Sequence, residues 1–377
     1  MKVIHIGNYK PESANGVNKT IAGLVKYLYT EGINVELWHF TSKVNEIKDR
    51  KIDGIQIFDL PYFSSQILNL FTFPKSTQKF LRERQKKVDL LHLHSVFRID
   101  NIKVSQVSGL PYIITPHSGY NPQVLQGRNR LLKTIWIKLL EKKYLSNARL
   151  IHAVSDLEIP YIQNIIKTTK IRCIPNGIDD EFLLLPKVKC QERLTWVYLG
   201  RLAIQHKGID LLLKGYAILA KNFKKKLPLL IIAGPDFRDD LAKLKILAHN
   251  LGISDSVKFE GPLFGQDKIT LLQQAQIFIH TSRWEGMPFS VLEALALGKP
   301  VLVTPETNLA GYVEKYNAGW VVQGTPEAIA EGLLKVLNTS TNEFNVIGEN
   351  SYLLIKKNFT WSVIVSKMAK IYKEILS

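Results

Sequence analysis

The segment SRWEGMPFSVLEALALGKPV, residues 282–301, carries two carboxylates, Glu285 and Glu293, eight positions apart. The run AQIFIHTS before it is typical of a buried strand, RWEGM of a turn, and the apolar residues after Pro288 of a helix. We expect Pro288 to be the first helical residue, because the N–H that proline lacks is not needed there. A strand, turn and helix in this order predict an α/β fold whose ligand meets the turn.

The start of this helix is a candidate anion site. The backbone N–H groups from Met287 to Ser290, including that of Phe289, would be unpaired. Together with the helix dipole they suit a phosphate. Gly286 lets the backbone approach the ligand closely. Glu293 lies about one and a half turns into the helix, where it could accept hydrogen bonds from a ribose diol beside that phosphate. The alternative is an amphipathic helix with two solvated glutamates.

The segment GRLAIQHKG, residues 200–208, is the second candidate for phosphate binding. Arg201 follows the strand-like run TWVYLG, and Lys207 comes six residues later. Two cations that converge on the helix start could neutralise a diphosphate without a metal ion. The sequence contains no D-x-D motif, so we expect no metal site and no other cofactor. The alternative is two surface cations in a loop.

Short β-rich runs alternate with helical patterns along the chain. KVIHIGNY, NVELWHF, VDLLHLHS, PYIITPHS and ARLIHAVS precede residues 175–177, and LTWVYLG, LPLLIIAGP, SVKFEG, AQIFIHTS and KPVLVTPE follow them. This alternation predicts two similar, doubly wound parallel sheets with helices on both faces. Ligands of such sheets bind beyond the carboxyl ends of the strands. We therefore expect His117, Arg201, Lys207 and Glu285 to line a cleft between two facing Rossmann-like domains.

Length and composition exclude several classes of protein. The chain has 377 residues, of which 46% are hydrophobic, and this favours two folded domains over a disordered chain. Cys173 and Cys190 are interpreted as core residues rather than a disulfide, so a reducing, cytoplasmic compartment is expected. The apolar run in the first residues, MKVIHIGNYKPES, is too short for a signal peptide, and the sequence has no run of about 18 uncharged apolar residues. We therefore expect neither a signal peptide nor a membrane-spanning segment.

Taken together, the motifs resemble the family 4 glycosyltransferases of the GT-B fold, which are retaining enzymes that use nucleotide-activated sugars. The resemblance covers nearly the whole chain and rests on PESANGVNKT, TPHSG, IPNGID, GRL…HKG, EGMPFSVLEALALGKPV and FTWSVIVSKMAKIYKEIL. It implies that Glu285 lies near the donor sugar and that Glu293 binds the ribose. It also implies that Arg201 and Lys207 neutralise the diphosphate and that His117 contacts the sugar. The expected donor is a UDP- or GDP-sugar.

The resemblance also implies a division into domains. Residues 1–175 would form the acceptor-binding domain and residues 176–359 the nucleotide-sugar-binding domain, with the final helix, about 360–377, packed back on the first. Many members have two adjacent glycines in the first loop, where this chain has Asn15 and Gly16. Gly16 is therefore the expected point of close backbone approach.

A second departure concerns the donor sugar. Many members have a glycine-rich loop where this chain has TPETNLAGYVE, which places Thr307, Asn308 and Leu309 at the positions expected to face the sugar. Since recognition of sugar hydroxyls depends on that loop, the resemblance does not transfer the identity of the sugar.

Two histidines in LLHLHS, His92 and His94, lie on one face of a predicted strand and could suggest a metal site. The sequence shows no third ligand near them. We therefore interpret them as hydrogen-bonded histidines of the core or of the cleft edge.

The net charge of +17 is unevenly spread, with +13 on residues 1–178 and +4 on residues 179–377. Residues 127–145, GRNRLLKTIWIKLLEKKYL, form an amphipathic helical pattern, and residues 64–87 are first apolar and then basic. Both patterns suit an anionic membrane surface, which would fit a lipid-linked glycan acceptor. The alternative is helices packed on the sheet with their lysines in water. The first pattern consists of apolar Leu131, Leu132, Ile135, Trp136, Leu139 and Leu140, flanked by Arg128, Arg130, Lys133, Lys138, Lys142 and Lys143.

Two other functions would each explain some of these motifs or the positive charge. A sugar-nucleotide epimerase of similar architecture would bind the same donor without an acceptor. A nucleic-acid-binding protein would explain the positive charge, but the sequence lacks a recognisable module with basic and aromatic residues interleaved, so no nucleic acid is expected as a partner. Neither function explains the combination of two spaced glutamates with an arginine and a lysine.

Overall fold

The computed structural model describes residues 1–11, 15–64, 71–127, 129–186, 194–223 and 227–377. Contacts within the chain divide it into two compact units. Unit 1 comprises Met1–Gly177 together with Trp361–Ser377, and unit 2 comprises Ile178–Thr360. Cys190, Arg128, part of the first loop and part of residues 64–87 lie outside the described residues.

Unit 1 is built on an eight-stranded sheet with the order β10-β9-β8-β7-β1-β2-β4-β3. Its strands are parallel except β3, which runs antiparallel to β4. The strands β5 and β6 form a separate antiparallel pair. The strands are β1 Lys2–Ile6, β2 Asn34–Thr41, β3 Lys48–Ile52, β4 Ile55–Pro61, β5 Phe63–Ser64, β6 Phe71–Thr72, β7 Leu90–His94, β8 Tyr112–Thr115, β9 Leu150–Ala153 and β10 Ile171–Cys173.

The helices of unit 1 cover this sheet. A π-helical turn at Ile137–Glu141 continues α5 into α6, and a 3₁₀ turn at Gln85–Lys87 follows α2. The helices are α1 Gly16–Thr30, α2 Lys75–Arg84, α3 Ile99–Ser108, α4 Pro122–Gln126, α5 Arg130–Trp136, α6 Lys142–Asn147, α7 Glu158–Ile165 and, from the end of the chain, α16 Trp361–Leu376.

Unit 2 is built on a six-stranded parallel sheet with the order β13-β12-β11-β14-β15-β16. Its strands are β11 Thr195–Leu199, β12 Leu229–Ala233, β13 Val257–Glu260, β14 Ile277–His280, β15 Val301–Val303 and β16 Gly319–Val321. Its helices are α8 Ile204–Lys207, α9 Ile209–Asn222, α10 Asp240–Asn250, α11 Gly265–Gln274, α12 Phe289–Ala296, α13 Ala310–Tyr316, α14 Pro326–Asn338 and α15 Thr341–Asn358, with 3₁₀ turns at Asp180–Leu184, Ser254–Ser256 and Pro305–Thr307.

The central strands are buried on both faces, as parallel sheets with helices on each side require. Every residue of β7 and every residue of β14 is buried. The polar side chains on these strands are histidines, His92 and His94 on β7 and His280 on β14. Burying an imidazole is costly unless it is hydrogen-bonded, so these positions need partners within the core.

The last helix of the chain packs on the first. Trp361, at the start of α16, is 2% exposed and lies against two glycines, Gly23 of α1 and Gly177. A Cβ atom added at Gly23 would lie 2.2 Å from the Trp361 indole, so the close approach of the two helices requires glycine there. The carboxyl-terminal residues are therefore part of unit 1.

In each sheet there is one point where successive connections of the chain turn to opposite sides. Ligands of such sheets bind at the carboxyl ends of the strands at this point, which we call the ligand edge. In unit 2 the chain goes from β11 to β12 on one side and returns to β14 on the other. In unit 1 it goes from β1 to β2 on one side and returns to β7 on the other. The segments that follow β11 and β14 carry Arg201, Lys207 and Glu285, and the segment after β8, next to β7, carries His117.

Candidate functional site

The turn after β14 is held in place by hydrogen bonds to three other segments. Arg283 donates to both carboxylate oxygens of Asp210, at 2.9 and 2.8 Å, and to the carbonyl oxygen of Ile204 at 2.8 Å. Asn308 Nδ2 donates to the carbonyl oxygens of Glu285 and Gly286, both at 2.6 Å. The position of the turn is therefore set by α8, α9 and the segment after β15, rather than by its own sequence alone.

The Glu285 carboxylate lies inside this turn, 8% exposed. Its Oε1 atom accepts from Ser282 Oγ at 2.7 Å and from His280 Nε2 at 2.9 Å, and it forms an ion pair with Lys207. His206 Nε2 lies 3.7 Å from the other carboxylate oxygen. Burial by itself would raise the pKa of Glu285, but Lys207, His280 and His206 together hold it well below the ordinary value. The carboxylate is therefore ionised at neutral pH.

Lys207 reaches Glu285 because the end of α8 packs directly on the end of β14. Gly208 ends α8 with a φ of +61°, and a Cβ atom there would lie 2.0 Å from the carbonyl oxygen of Thr281. Thr281 Oγ1 also donates to the carbonyl oxygen of Gly208 at 3.0 Å. Only glycine allows both the left-handed backbone and this close approach. The HKG sequence thus brings its lysine to the turn that carries the first glutamate.

Arg201 occupies a different place from Lys207. It is exposed at the end of β11, and its guanidinium lies 4.7 Å from the centre of the Phe237 ring, which follows β12. A guanidinium stacked on an aromatic face keeps its donors available for an anion. The structure therefore places Lys207 on Glu285 and holds Arg201 on Phe237 at the same end of the sheet.

The helix after the turn begins one residue later than the sequence predicts. Pro288 has φ −77° and ψ 116°, so it precedes α12 as its N-cap residue and the first helical residue is Phe289. The Pro288 carbonyl accepts from the Val291 N–H at 3.1 Å. Proline also has no N–H of its own, so the expected run of donors from Met287 to Ser290 is interrupted. The anion site stays a prediction, and its candidate donors are the N–H groups of Met287, Phe289 and Ser290.

Glu293 is 4% exposed on α12. Its Oε1 atom lies 2.7 Å from the ammonium group of Lys268 on α11. Both glutamates of the segment are thus buried and paired with lysines, which rules out two solvated glutamates. Sequence reasoning missed Lys268, because it stands in no motif and comes from a helix whose contact with α12 appears only in the fold.

In unit 1, His117 follows β8 in a left-handed backbone conformation with a φ of +52°, and Ser118 has a φ of +59°. The loop is fixed by Glu158, which accepts from Ser118 Oγ at 2.7 Å and from the Val154 N–H at 2.8 Å. His117 Nε2 lies 3.1 Å from His94 Nδ1. Such a strained loop persists only when its surroundings determine it, and such loops cluster at functional sites.

Gly16 is the first residue of α1. Asn15 caps this helix, and its side-chain oxygen accepts from the Val17 N–H at 2.9 Å. An asparagine at this position therefore stabilises the helix start, a role that a second glycine would not fill as well.

The two histidines of β7 do have a third histidine beside them. His5 on β1 lies in register with His92, and candidate ligand atoms of His5, His92 and His94 all lie within 4.8 Å of one another. The expectation that no third ligand is near was wrong, because neighbouring strands of a parallel sheet can be far apart in sequence.

Two family models match the chain. Residues 186–353 match the model described as glycosyl transferases group 1, and residues 14–182 match the model described as glycosyltransferase family 4. The boundary between the two matches lies close to the boundary between the two units.

The chain is also similar to individual proteins. It is 28% identical to GDP-mannose:cellobiosyl-diphosphopolyprenol alpha-mannosyltransferase of Xanthomonas campestris over 60% of this chain and 59% of that relative. The chain thus spans about three fifths of the length of that relative, as it does for an uncharacterised glycosyltransferase of Methanocaldococcus jannaschii (57%). It is 24% identical to alpha-monoglucosyldiacylglycerol synthase of Streptococcus pneumoniae over 93% of this chain and 81% of that one.

Among solved structures, Anabaena Alr3699/HepE in complex with UDP and glucose has a TM-score of 0.74 and 17% identity, over 99% of this chain and 100% of that chain. A likeness at this identity establishes the fold. The predicted GT-B fold, with two parallel-sheet α/β domains, is confirmed.

The ion pair of Glu285 leads to a stability prediction. In Lys207→Met, a buried carboxylate loses its lysine, so we expect the free energy of unfolding at pH 7 to fall by about 3 kcal/mol. The folded protein holds the pKa of Glu285 below its unfolded value. The stability that the ionised Glu285 carboxylate contributes is therefore complete above about pH 4.5. It is lost as the pH falls through the pKa that Glu285 has in the folded protein. Urea denaturation at pH 7 and at lower pH measures both effects.

The matched control is Lys243→Met, which removes a lysine paired with Asp240 but 62% exposed. It should change the free energy of unfolding by less than about 1 kcal/mol. An equal loss in both variants would contradict a special role for the buried pair.

Proposed function

We propose that this chain, which belongs to the family 4 glycosyltransferases of the GT-B fold, transfers a sugar from a nucleoside diphosphate sugar to a hydroxyl group of a glycan acceptor. The observation that carries this proposal is the buried pairing of both glutamates, Glu285 with Lys207 and Glu293 with Lys268. Retention of configuration rests on the family resemblance alone.

The proposed donor site uses the residues at the carboxyl end of the unit 2 sheet. Arg201 and Lys207 would take the diphosphate, together with the N–H groups around the start of α12 at Gly286–Ser290. As the sugar leaves the diphosphate, negative charge develops on the phosphate oxygens, and fixed cations and N–H groups stabilise that charge in the transition state. Glu293 would bind the ribose hydroxyls. Glu285 would contact the donor sugar. In unit 1, His117 would contact a sugar, and Gly16 would allow close approach of the backbone.

Similar proteins support the kind of donor. The structure of Anabaena Alr3699/HepE holds UDP and glucose, and the name of the Xanthomonas relative specifies GDP-mannose. We therefore propose a UDP- or GDP-sugar as donor. The names of two relatives specify a diphosphopolyprenol-linked glycan and a glucosyldiacylglycerol. The first supports a lipid-linked glycan as acceptor, whereas the second names a glycolipid product and supports only a lipid-bearing substrate.

Removal of the exposed cation of this site should weaken donor binding. Arg201→Ala loses a charge-assisted contact to the diphosphate, so we expect the affinity for UDP or GDP to fall by about tenfold to a hundredfold, equivalent to about 1.5–3 kcal/mol. Isothermal titration with both nucleotides measures the effect. Lys243→Ala, which removes an exposed cation of α10, is the control. Wild-type affinity and turnover in both Arg201→Ala and Lys207→Met would refute the assignment, and nucleotide release that does not depend on an acceptor would favour an epimerase.

We also propose that the transfer needs no metal ion. Two cations and the helix start would supply the positive charge that a divalent ion otherwise brings, and the sequence offers no D-x-D motif to hold one. Sugar transfer should therefore continue at an unchanged rate after dialysis against EDTA, measured as nucleotide release with acceptor present. Loss of activity that manganese or magnesium restores would contradict this account.

The proposed membrane contact rests on an exposed apolar stripe. Four side chains of α5 and the π-helical turn are 53–78% exposed: Leu131, Leu132, Ile135 and Leu139. Lys138, Lys142 and Lys143 beside them are exposed as well. A stripe of leucines flanked by lysines suits the interface of an anionic bilayer. We propose that the protein acts in the cytoplasm at the inner face of a membrane, where a lipid-linked acceptor would be presented.

Two aromatic residues of the segments that suit a membrane surface, Trp136 in residues 127–145 and Phe73 in residues 64–87, pack on the core of unit 1 instead. The Trp136 indole N–H donates to Glu141 Oε2 at 2.6 Å, and its ring packs on the core of unit 1 together with Leu140. Phe73, from the second segment, is 7% exposed in the same core. The exposed stripe of Leu131 and its neighbours therefore remains as the candidate contact. In the part of the chain that the structure describes, no helix combines the length and hydropathy needed to cross a bilayer.

Vesicle sedimentation tests the membrane contact. The protein should pellet with anionic vesicles and much less with neutral ones, since each basic residue near the surface contributes about 1 kcal/mol. Replacing Lys138, Lys142 and Lys143 with glutamine should release it at physiological salt. The same charge change in unit 2, with Lys335, Lys356 and Lys357 replaced by glutamine, should not. Equal recovery with neutral and anionic vesicles, or equal release of both variants, would show that the lysines only solvate a helix.

A further inference from the structure

A continuous line of hydrogen bonds runs through the core of unit 1 and ends at His117. The first half joins three histidines to the last helix. His117 Nε2 lies 3.1 Å from His94 Nδ1, and His94 Nε2 lies 3.0 Å from His5 Nδ1. His5 Nε2 lies 3.4 Å from the hydroxyl oxygen of Tyr372 on α16. The line thus crosses from the loop after β8 to β7, to β1 and on to the carboxyl-terminal helix.

The second half returns from Tyr372 to the segment after β10. The Tyr372 hydroxyl lies 2.6 Å from His92 Nδ1, and His92 Nε2 lies 2.6 Å from Thr115 Oγ1. Thr115 Oγ1 lies 2.8 Å from His152 Nδ1, and His152 Nε2 lies 2.7 Å from the carbonyl oxygen of Ile174. We call the seven side chains the histidine network: His117, His94, His5, Tyr372, His92, Thr115 and His152.

The end at Ile174 sets the direction of every bond. A carbonyl oxygen can only accept, so His152 Nε2 carries the proton and the Nδ1 atom of the neutral ring accepts. Thr115 must then donate its single hydroxyl proton to His152, and it accepts from His92 Nε2. A neutral His92 accepts through Nδ1, which the Tyr372 hydroxyl supplies.

The same rule continues along the first half. Tyr372 has used its proton on His92, so its oxygen accepts from His5 Nε2. His5 Nδ1 then accepts from His94 Nε2, and His94 Nδ1 accepts from His117 Nε2. Each ring carries one proton, on Nε2, and each Nδ1 atom within the network accepts.

We propose that the histidine network fixes the tautomer of His117, with the proton on Nε2 and an unprotonated Nδ1. His117 therefore accepts a hydrogen bond from a substrate hydroxyl through Nδ1 and cannot donate one there. Tyr372, Thr115 and His152 act as positioning residues that never need to touch the substrate. The tautomer follows from the hydrogen bonds alone, whereas the contact with a sugar hydroxyl rests on the function proposed above.

The environment keeps all five rings neutral, as this assignment requires. Burial is the largest cause in each case, and neighbouring histidines add to it for every ring except His152. Together they lower the pKa of His5 and His117 to about 3 and that of His92 and His94 well below the ordinary value. Burial lowers the pKa of His152 to about 4, against a smaller rise from its bond to Ile174. A network without charged rings has one consistent arrangement of protons.

The same bonds argue against a metal ion among His5, His92 and His94. Their candidate ligand atoms lie within 4.8 Å of one another. However, all six ring nitrogens of these residues already take part in the hydrogen bonds of the network. A metal ion would have to displace several of these bonds. The network accounts for the three buried imidazoles without one.

Nitrogen NMR on protein labelled with ¹⁵N-histidine tests the proposal without any substrate. Two-bond proton–nitrogen correlations report which ring nitrogen carries the proton, and the wild type at pH 7.5 should show His117 as the Nε2–H tautomer. Tyr372→Phe cuts the network in the middle. His92 and His152 should keep their tautomers, because Ile174 still orients them, whereas His5, His94 and His117 should become mixtures of both tautomers. A general loss of packing would not divide the histidines in this way.

Thr115→Val cuts the network nearer to Ile174, on the other side of His92 from Tyr372. His152 should then be the one histidine of the network that keeps its tautomer. His92, like His5, His94 and His117, should become a mixture of both tautomers. The matched control is Thr77→Val, which removes another fully buried threonine hydroxyl of unit 1, one that donates to the carbonyl oxygen of Pro61. It should leave all five histidine spectra unchanged. If either network variant fails to fold, the other still tests whether the histidines on the two sides of its cut respond differently.

Turnover separates this proposal from the proposed function. In Tyr372→Phe and Thr115→Val we expect kcat/KM to fall about fivefold, as for the loss of one hydrogen bond, with unchanged affinity for UDP or GDP. Mixed tautomers with unchanged turnover would overturn the role of His117 as an acceptor of a substrate hydroxyl. An Nδ1–H tautomer of His117 in the wild type, or equal changes at all five histidines in Tyr372→Phe, would overturn the network itself. Absence of any transferase activity, with the expected spectra, would instead count against the proposed function.

Discussion

The buried ion pair between Lys207 and Glu285 constrains the whole ligand edge of unit 2. Two charges removed from water are tolerated only where hydrogen bonds complete their surroundings, and Ser282 and His280 supply those bonds to the carboxylate. The lysine can reach the carboxylate only while Gly208 packs against the end of β14. The turn after β14 and the end of α8 therefore cannot move separately without leaving a charge unpaired. Preorganised charge of this kind stabilises a developing anion without reorganisation during the reaction.

Unit 1 solves the problem of buried polar groups at its ligand edge in another way. Its imidazoles are neutral, and each is hydrogen-bonded to a neighbour in the network, so these rings bring no charge that has to be desolvated. Such a network has a direction, set where it ends at a carbonyl oxygen. The charged side chains at the edge of unit 2 suit the binding of phosphate, whereas the neutral histidines of unit 1 suit the recognition of hydroxyl groups, which requires defined donors and acceptors. The two units thus share a fold and differ in the electrostatics of their edges.

The sequence predicts the parts of this structure that depend on local pattern. The alternation of strands and helices yields both sheets, and the segment at residues 282–301 yields the turn and helix that carry the two glutamates. The partners that come from distant elements are not predictable in this way. Lys268 reaches Glu293 from another helix, and His5 stands beside His92 because β1 and β7 are neighbours in the sheet, 87 residues apart in the chain. The prediction that Pro288 is the first helical residue was also wrong by one residue, because the ψ of Pro288, 116°, is extended rather than helical.

The helix that bears the exposed stripe is tied to the interior of unit 1 by a buried carboxylate as well as by apolar packing. The π-helical turn at Ile137–Glu141 directs Glu141 inward, where it is fully buried and accepts from Tyr120 at 2.8 Å, Trp136 at 2.6 Å and the Phe97 N–H at 3.2 Å. Burial raises the pKa of Glu141, and these neutral donors oppose the rise only in part. Phe97 and Tyr120 belong to the segments that follow β7 and β8, and the second of these also carries His117. Glu141 therefore fixes the helix that bears the stripe to the same strand ends that form the ligand edge of unit 1.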